Sequence, residues 1–227
     1  MIDMGVLKVA SKKSLLLCLL LCFISTSGLQ AQVDSATQPE IKIDKFIFSV
    51  GYQTAWRVAA TDASSQAERD YFRDLKRGSG IRLKGLVPLG DQESAVGLTY
   101  NSYKSKTGQL NGDSEFHEIN YIGALYQLYT RSGPQEQHLF VLESSLGYMS
   151  YQSVINGVDI FDGGNLALSF GGAYRYMVSP VIGIGFDLHL EGTTIQEWNG
   201  PGGQSVDLGD GDNLYRLSLS FGVDVRL

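Results

Sequence analysis

The sequence predicts an all-β fold, an eight-stranded antiparallel up-and-down β-barrel that crosses a membrane. Three observations carry the prediction: an export signal at the start, side chains that alternate with period two through most of the chain, and connections that alternate between long and short.

Lys8, Lys12 and Lys13 precede an apolar run from Leu15 to Ile24, and small residues follow, which is the layout of a secretory signal. The run is about ten residues, too short for the roughly 20 that a spanning helix needs. Positions 1–31 are therefore expected to be a signal peptide cleaved after Ala31, positions 32–44 a flexible polar lead-in, and positions 45–227 the barrel domain. Cys18 and Cys22 are the only cysteines, and both follow leucine inside the apolar run. No lipid anchor is expected, and the mature chain has no thiol for a disulfide or a metal.

The 227 residues carry 18 basic and 24 acidic side chains; setting aside the three lysines and one aspartate of 1–31 leaves 15 and 23, a formal charge of −8. That balance argues against nucleic acid as a partner. No linker or low-complexity segment interrupts the remainder, so one domain is expected.

From Phe46 onward successive side chains alternate between apolar and polar, the pattern of a strand with two unlike faces. The last segment is the clearest. Tyr215, Leu217, Leu219, Phe221, Val223, Val225 and Leu227 share one face, and Arg216, Ser218, Ser220, Gly222, Asp224 and Arg226 the other. Ile182 to Glu191, Phe46 to Arg57 and Leu166 to Tyr176 repeat the arrangement, while Gly80 to Val87, Ala95 to Tyr103 and Leu139 to Tyr151 alternate less cleanly. In the eighth segment, Phe116 to Tyr129, Ile122 and Leu128 fall out of phase.

The connections supply an independent test. Long stretches at Ala59 to Arg73, Ser105 to Ser114, Ser153 to Gly163 and Thr193 to Asp212 alternate with short ones at Pro88 to Glu93, Ser132 to Glu136 and Ser179-Pro180. Transmembrane barrels show this order because short turns lie on one side of the membrane and longer loops on the other.

Alternation alone does not say which face points inward. The polar face holds small residues and charges of both signs: Arg57, Arg82, Lys84, Glu143, Arg175, Asp187, His189, Glu191, Arg216 and Asp224. Such a set suits the narrow interior of an eight-stranded barrel, as a charge network filling the lumen. Large apolar residues on the other face suit lipid. Aromatics near strand ends are expected to form two interfacial girdles, with Trp56, Tyr100, Tyr148 and Tyr215 at the outer rim and Phe46, Tyr129, Tyr174 and Tyr176 at the inner rim.

The signal peptide, the eight alternating segments and the terminal Phe221-Gly-Val-Asp-Val-Arg-Leu227 together resemble the small bacterial outer-membrane β-barrels of the OmpX and OmpA-transmembrane type, within the broad group of outer-membrane β-barrel or porin-family proteins. The resemblance covers nearly all of the mature chain and is one of pattern. It implies location in the outer membrane of a Gram-negative bacterium, lipid as surrounding partner, and the barrel-insertion machinery as partner during assembly. It also implies that Gly222, Val225 and Leu227 form the C-terminal assembly signal, with leucine where an aromatic is commoner. Fold alone does not settle activity.

Few residues suggest chemistry beyond this. His189 between Asp187 and Glu191 is the best acid–base candidate, and a buried charge network is the favoured reading of it. His117 and His138 have no ligand spacing near them. Asp207, Asp210 and Asp212 could hold Ca²⁺ but do not complete a calcium loop and also suit a turn. The glycines at 171, 172, 183 and 185 lie inside strands, where they fit a crowded interior better than a phosphate loop. No enzyme activity, cofactor or metal is expected. The expected function is a rigid scaffold displaying exterior loops, whose partner the sequence does not name. The rival readings are a small-solute channel or porin-like transporter and a secreted soluble ligand-binding barrel.

Overall fold

The structure, a computed structural model, describes residues 45–58, 63–90, 93–133, 135–200 and 204–227. The expected signal peptide and lead-in lie outside the described residues. The described strands are β1 (Ile47–Arg57), β2 (Arg77–Pro88), β3 (Ser94–Ser105), β4 (Gly108–Leu110), β5 (Asp113–Ser132), β6 (His138–Ile155), β7 (Val158–Met177), β8 (Ile182–Gly200) and β9 (Gln204–Arg226). One helix, α1 (Gln66–Lys76), lies between β1 and β2.

All pairings are antiparallel between neighbours, and β1 pairs with β9 as well as with β2. With β3 paired to β5, eight strands close into a ring, and β4 is left as a short arm on the outer end of β5. Closure matters because hydrocarbon offers no partner to a free N–H or C=O, and a ring has no edge. The seam is finished where Lys45 and Phe46 donate to the Leu227 carbonyl and Leu227 donates back to Phe46.

The ring is apolar on the outside. Leu166, Phe221, Tyr52 and Leu98 are each more than 60% exposed, within a surface of Leu, Ile, Val, Phe and Tyr from every strand of the ring. Water-soluble monomers rarely carry an apolar patch above a few hundred Å². This belt is a lipid-facing surface. Charged residues are turned inward, which excludes the soluble barrel with its apolar face inside.

Strand lengths depart from the expected loops. A strand needs about 9–11 residues to cross hydrocarbon, yet β5 to β9 run to 20, 18, 20, 19 and 23 residues. The stretches 153–163 and 193–212, expected as loops, are mostly strand; the first holds a two-residue turn at Asn156-Gly157, both at positive φ. Asn111-Gly112 makes the same turn between β4 and β5. Asn-Gly suits a hairpin turn that requires positive φ at both positions. Toward the tips of these hairpins, at 158–163, 196–200 and 204–209, residues on both faces are exposed or half-buried, so alternation fades and the sequence reads as loop.

The expected loop at 59–73 contains most of α1. Its start is a capping box: Ser65 Oγ accepts from the Glu68 N–H at 3.2 Å, and the Glu68 carboxylate accepts from the Ser65 N–H at 3.1 Å.

Candidate functional site

The lumen is built in three layers. At the inner end, beside the chain termini and the short turns, Ile47, Leu86, Ala95, Leu125, Tyr129, Leu139, Val141 and Ala173 form an apolar layer. Toward the outer end Ala55, Tyr103, Ile119, Tyr121, Met149, Tyr151, Ala167, Ile195 and Leu214 form a second. Between them lies the charge network.

Four cations and four carboxylates meet there. Lys84 Nζ is 2.6 Å from Glu143 and 2.7 Å from Asp187. Arg175 reaches Asp187 at 2.8 Å and Asp224 at 2.9 Å. Arg216 pairs with Glu191, its Nε at 3.0 Å, and Asn101 donates to the same carboxylate. Arg82 lies 3.7 Å from Glu143 and 3.9 Å from Glu191. Neutral donors complete the set: Gln127 to Glu143 at 2.6 Å, Ser49 to Asp224 at 2.6 Å and Ser220 to Asp187 at 3.0 Å. Burying a charge costs several kcal/mol unless it is paired and hydrogen-bonded, and here every carboxylate has at least two donors.

The His189 ring occupies the centre. Arg82 donates to Nδ1 at 3.0 Å, which makes that nitrogen an acceptor, and Nε2 lies 3.1 Å from Glu143. The pattern assigns a neutral ring with its proton on Nε2. Gly171 is the cross-strand partner of His189, and a Cβ there would strike the imidazole, so this glycine makes room for the ring. Ser218 and Ser220 stand opposite His189 and Asp187 on β9, all of them buried in mid-lumen rather than gathered at a rim. Among the described residues Glu143, Asp187 and His189 are the one group with metal-ligand spacing, and the Lys84 ammonium already supplies positive charge to both carboxylates.

Nine of the ten lumen residues expected from sequence thus meet in one network. Arg57 does not: it sits at the outer mouth, paired to Asp212 at 2.7 Å with its guanidinium over Tyr151. Asp207 accepts from the Gly209 N–H at 2.8 Å and so serves a turn.

Of the expected girdle residues, Trp56, Tyr148 and Tyr215 lie exposed and Tyr100 half-buried toward the outer rim, with Phe46 and Tyr176 exposed and Tyr174 half-buried at the inner rim. Tyr129 is the correction. It is 4% exposed and points into the lumen, where Arg226 lies 5.2 Å over its ring. In β5 it is Ile122 and Leu128 that face lipid, and Ile119, Tyr121, Leu125 and Tyr129 that face inward. Both faces of β5 are apolar because its inward residues build both lumen layers, so alternation assigns this strand the wrong phase. Gly222, Val225 and Leu227 close the seam with β1 and β8.

The outer mouth departs from the sequence expectation. Between the pairs Ile195↔Asp212 and Glu197↔Asp207, β9 carries a bulge with Gly209 and Gly211 at positive φ. Its Leu208, together with Trp198, packs against the outer apolar layer, and Trp198 stacks on Tyr151 at 5.9 Å. Beside them Glu115 accepts from Tyr71 of α1, from Ser153 at 2.7 Å, and lies 2.9 Å from His117 Nε2. Leu75, the buried residue of α1, packs with Tyr71 beside Gly108. Ser65 and Glu68 spell the capping box, the one sequence signal that could have placed α1.

No family model and no curated protein matches the chain. Solved structures do. Neisserial surface protein A superposes with a TM-score of 0.56 at 14% identity, over 81% of this chain and 97% of that one. Ail, the attachment invasion locus protein of Yersinia pestis, gives 0.52 at 12% identity over 82% and 100%, and a major outer membrane protein from Thermus thermophilus gives 0.53 at 13% over 80% and 99%. The fold is that of a small outer-membrane β-barrel. At such identities the likeness concerns the fold.

Proposed function

We propose that the chain is a non-enzymatic integral protein of a Gram-negative outer membrane, a rigid scaffold with a closed lumen that displays its long hairpins and α1 to the exterior. The observation that carries this reading is the three-layer lumen, in which a charge-balanced network lies between two apolar layers. An ion entering it would have to displace paired charges from a buried site. Surrounding lipid and, during assembly, the insertion machinery are its proposed partners, the latter through the C-terminal strand. Purified protein in planar bilayers is expected to give no stable conductance above background. A wide, voltage-stable conductance would overturn the reading.

A second reading follows from the β7–β8 ladder. Pairing runs from Asp162↔Asn199 to Leu168↔Gly192 with a break between, bridged by the Asn165 amide to the Thr194 carbonyl and by the Thr193 hydroxyl to the Leu166 carbonyl. Such a break favours a lateral passage for an apolar compound. Uptake of an apolar dye into proteoliposomes, abolished by an Asn165→Cys/Thr194→Cys disulfide, would support it. Dye uptake equal to that of empty liposomes would remove it.

A further inference from the structure

The outer end of the β1–β2 hairpin carries a basic recess that the scaffold reading does not use. Arg69, Phe72, Arg73 and Lys76 follow the i, i+3, i+4, i+7 spacing that places side chains on one face of a helix. Together with Trp56, Arg57, Ala63 and Arg77 they line a recess of about 330 Å³. Trp56 and Arg77 are direct cross-strand partners at the end of the β1–β2 ladder. Below them on the same outward face of β1 come Tyr52, Val50 and Phe48, all exposed in the lipid belt.

Three features point to one kind of occupant. The recess opens at the level where the apolar belt gives way to water, the level of lipid headgroups. Its lining holds five basic side chains and no carboxylate, on a chain whose formal net charge is −6. Arg57 is turned to Asp212, and Arg73 is paired at the surface with Asp70 at 2.6 Å and Asp74 at 3.7 Å, where solvent and salt weaken the pairing. Guanidinium groups present forked donors that match phosphate oxygens, and Trp56 and Phe72 supply apolar walls for the ester-bearing root of a headgroup.

We propose that this recess is a binding site for the phosphorylated headgroup of a lipid in the outward-facing leaflet. The site anchors α1 to the membrane surface and fixes the vertical position of the first exterior connection. It rests on the membrane-spanning reading above.

Native mass spectrometry of the folded full chain, released from detergent micelles, tests the site. The probes are dioctanoyl phosphatidic acid, dioctanoyl phosphatidylcholine and inorganic phosphate. One phosphatidic acid is expected to remain bound in preference to phosphatidylcholine, and Arg69→Ala/Arg73→Ala/Arg77→Ala is expected to weaken its retention roughly tenfold or more. Heat-modifiable gel mobility of the same samples reports the barrel. Unchanged mobility with undiminished retention in the triple variant overturns the site, as does equal retention of phosphatidylcholine. Competition by inorganic phosphate at equal concentration also overturns it, since that marks a site for soluble anions. Loss of heat-modifiable mobility in the wild-type protein would instead strike the membrane reading. Should the triple variant fail to fold, Arg77→Ala alone is expected to lower retention in a folded barrel, and undiminished retention there overturns the site.

Discussion

The Tyr71 hydroxyl, on the helix of the first exterior connection, donates to the Glu115 carboxylate at the outer end of β5. This contact, with Leu75 packed beside Gly108, ties α1 to the barrel across 44 residues of sequence. Burial alone would push the Glu115 carboxyl up, but hydrogen bonds from His117, Tyr71 and Ser153 outweigh it and hold it at about 2. Burial and the neighbouring carboxylate raise the Tyr71 phenol, which stays a donor.

Tyr71→Phe and Glu115→Gln are each expected to speed amide exchange in 66–76 by roughly tenfold, with the barrel strands unaffected. The folded Glu115 value lies below the ordinary 4.5, so its contribution is complete above that pH and declines as pH falls toward 2. Hydrogen exchange at pH 6 and pH 3 checks the sign: protection of α1 that is equal at both, or greater at pH 3, would contradict it.

Lys84→Met removes the ammonium shared by Glu143 and Asp187 and leaves two buried carboxylates short of charge. A loss of about 3–5 kcal/mol is expected in urea unfolding of the barrel in lipid vesicles. Lys84→Met/Glu143→Gln should recover part of it. A double variant no better than the single one would mean that charge balance does not stabilise the lumen.

Tyr129 and Tyr176 are expected to differ sharply although both are tyrosines near the inner end. Tyr129→Ala opens a void in the inner apolar layer, with an expected cost of about 3–5 kcal/mol. Tyr176→Ala removes an exposed ring and should cost under about 1 kcal/mol. The same unfolding measurement compares them, and equal costs would return Tyr129 to the girdle.

Gly171→Ala places a methyl group against the His189 ring, which is held on both sides by Arg82 and Glu143. The ring must shift, and a destabilisation of about 1–3 kcal/mol is expected. His189→Ala combined with Gly171→Ala should remove the added penalty of the methyl group. A double-variant cycle with no coupling between the two positions would contradict the contact.

Sequence patterning reaches furthest where the two faces of a strand differ most. From Tyr215 to Val225 of β9 every second residue is apolar and on the outward face, and between them stand the Arg216 and Asp224 of the lumen network. In β5 the same rule fails, because Ile119, Tyr121, Leu125 and Tyr129 are as apolar as the lipid face they oppose. Period two marks a contrast between faces, and a strand apolar on both has none. The pairing of Lys84 with Glu143, 59 residues away and across the lumen, depends on ring closure and cannot be read from local spacing. The helix α1 is legible in principle from Ser65 and Glu68, but its polar residues read as loop beside a chain dominated by strands.

The lumen charges are contributed by β2, β6, β7, β8 and β9, and their partners stand on different strands of the ring. Arg216 with Glu191 and Arg175 with Asp187 pair between neighbouring strands, but Lys84 finds Glu143 and Asp187, and Arg82 finds Glu143 and Glu191, only when β2 comes round to face β6 and β8. Completion of the cylinder and neutralisation of Arg82, Lys84 and Glu143 are therefore one event. An intermediate with an unclosed seam leaves Arg82, Lys84 and Glu143 without their opposite charges at the edge of hydrocarbon, and that penalty favours closure.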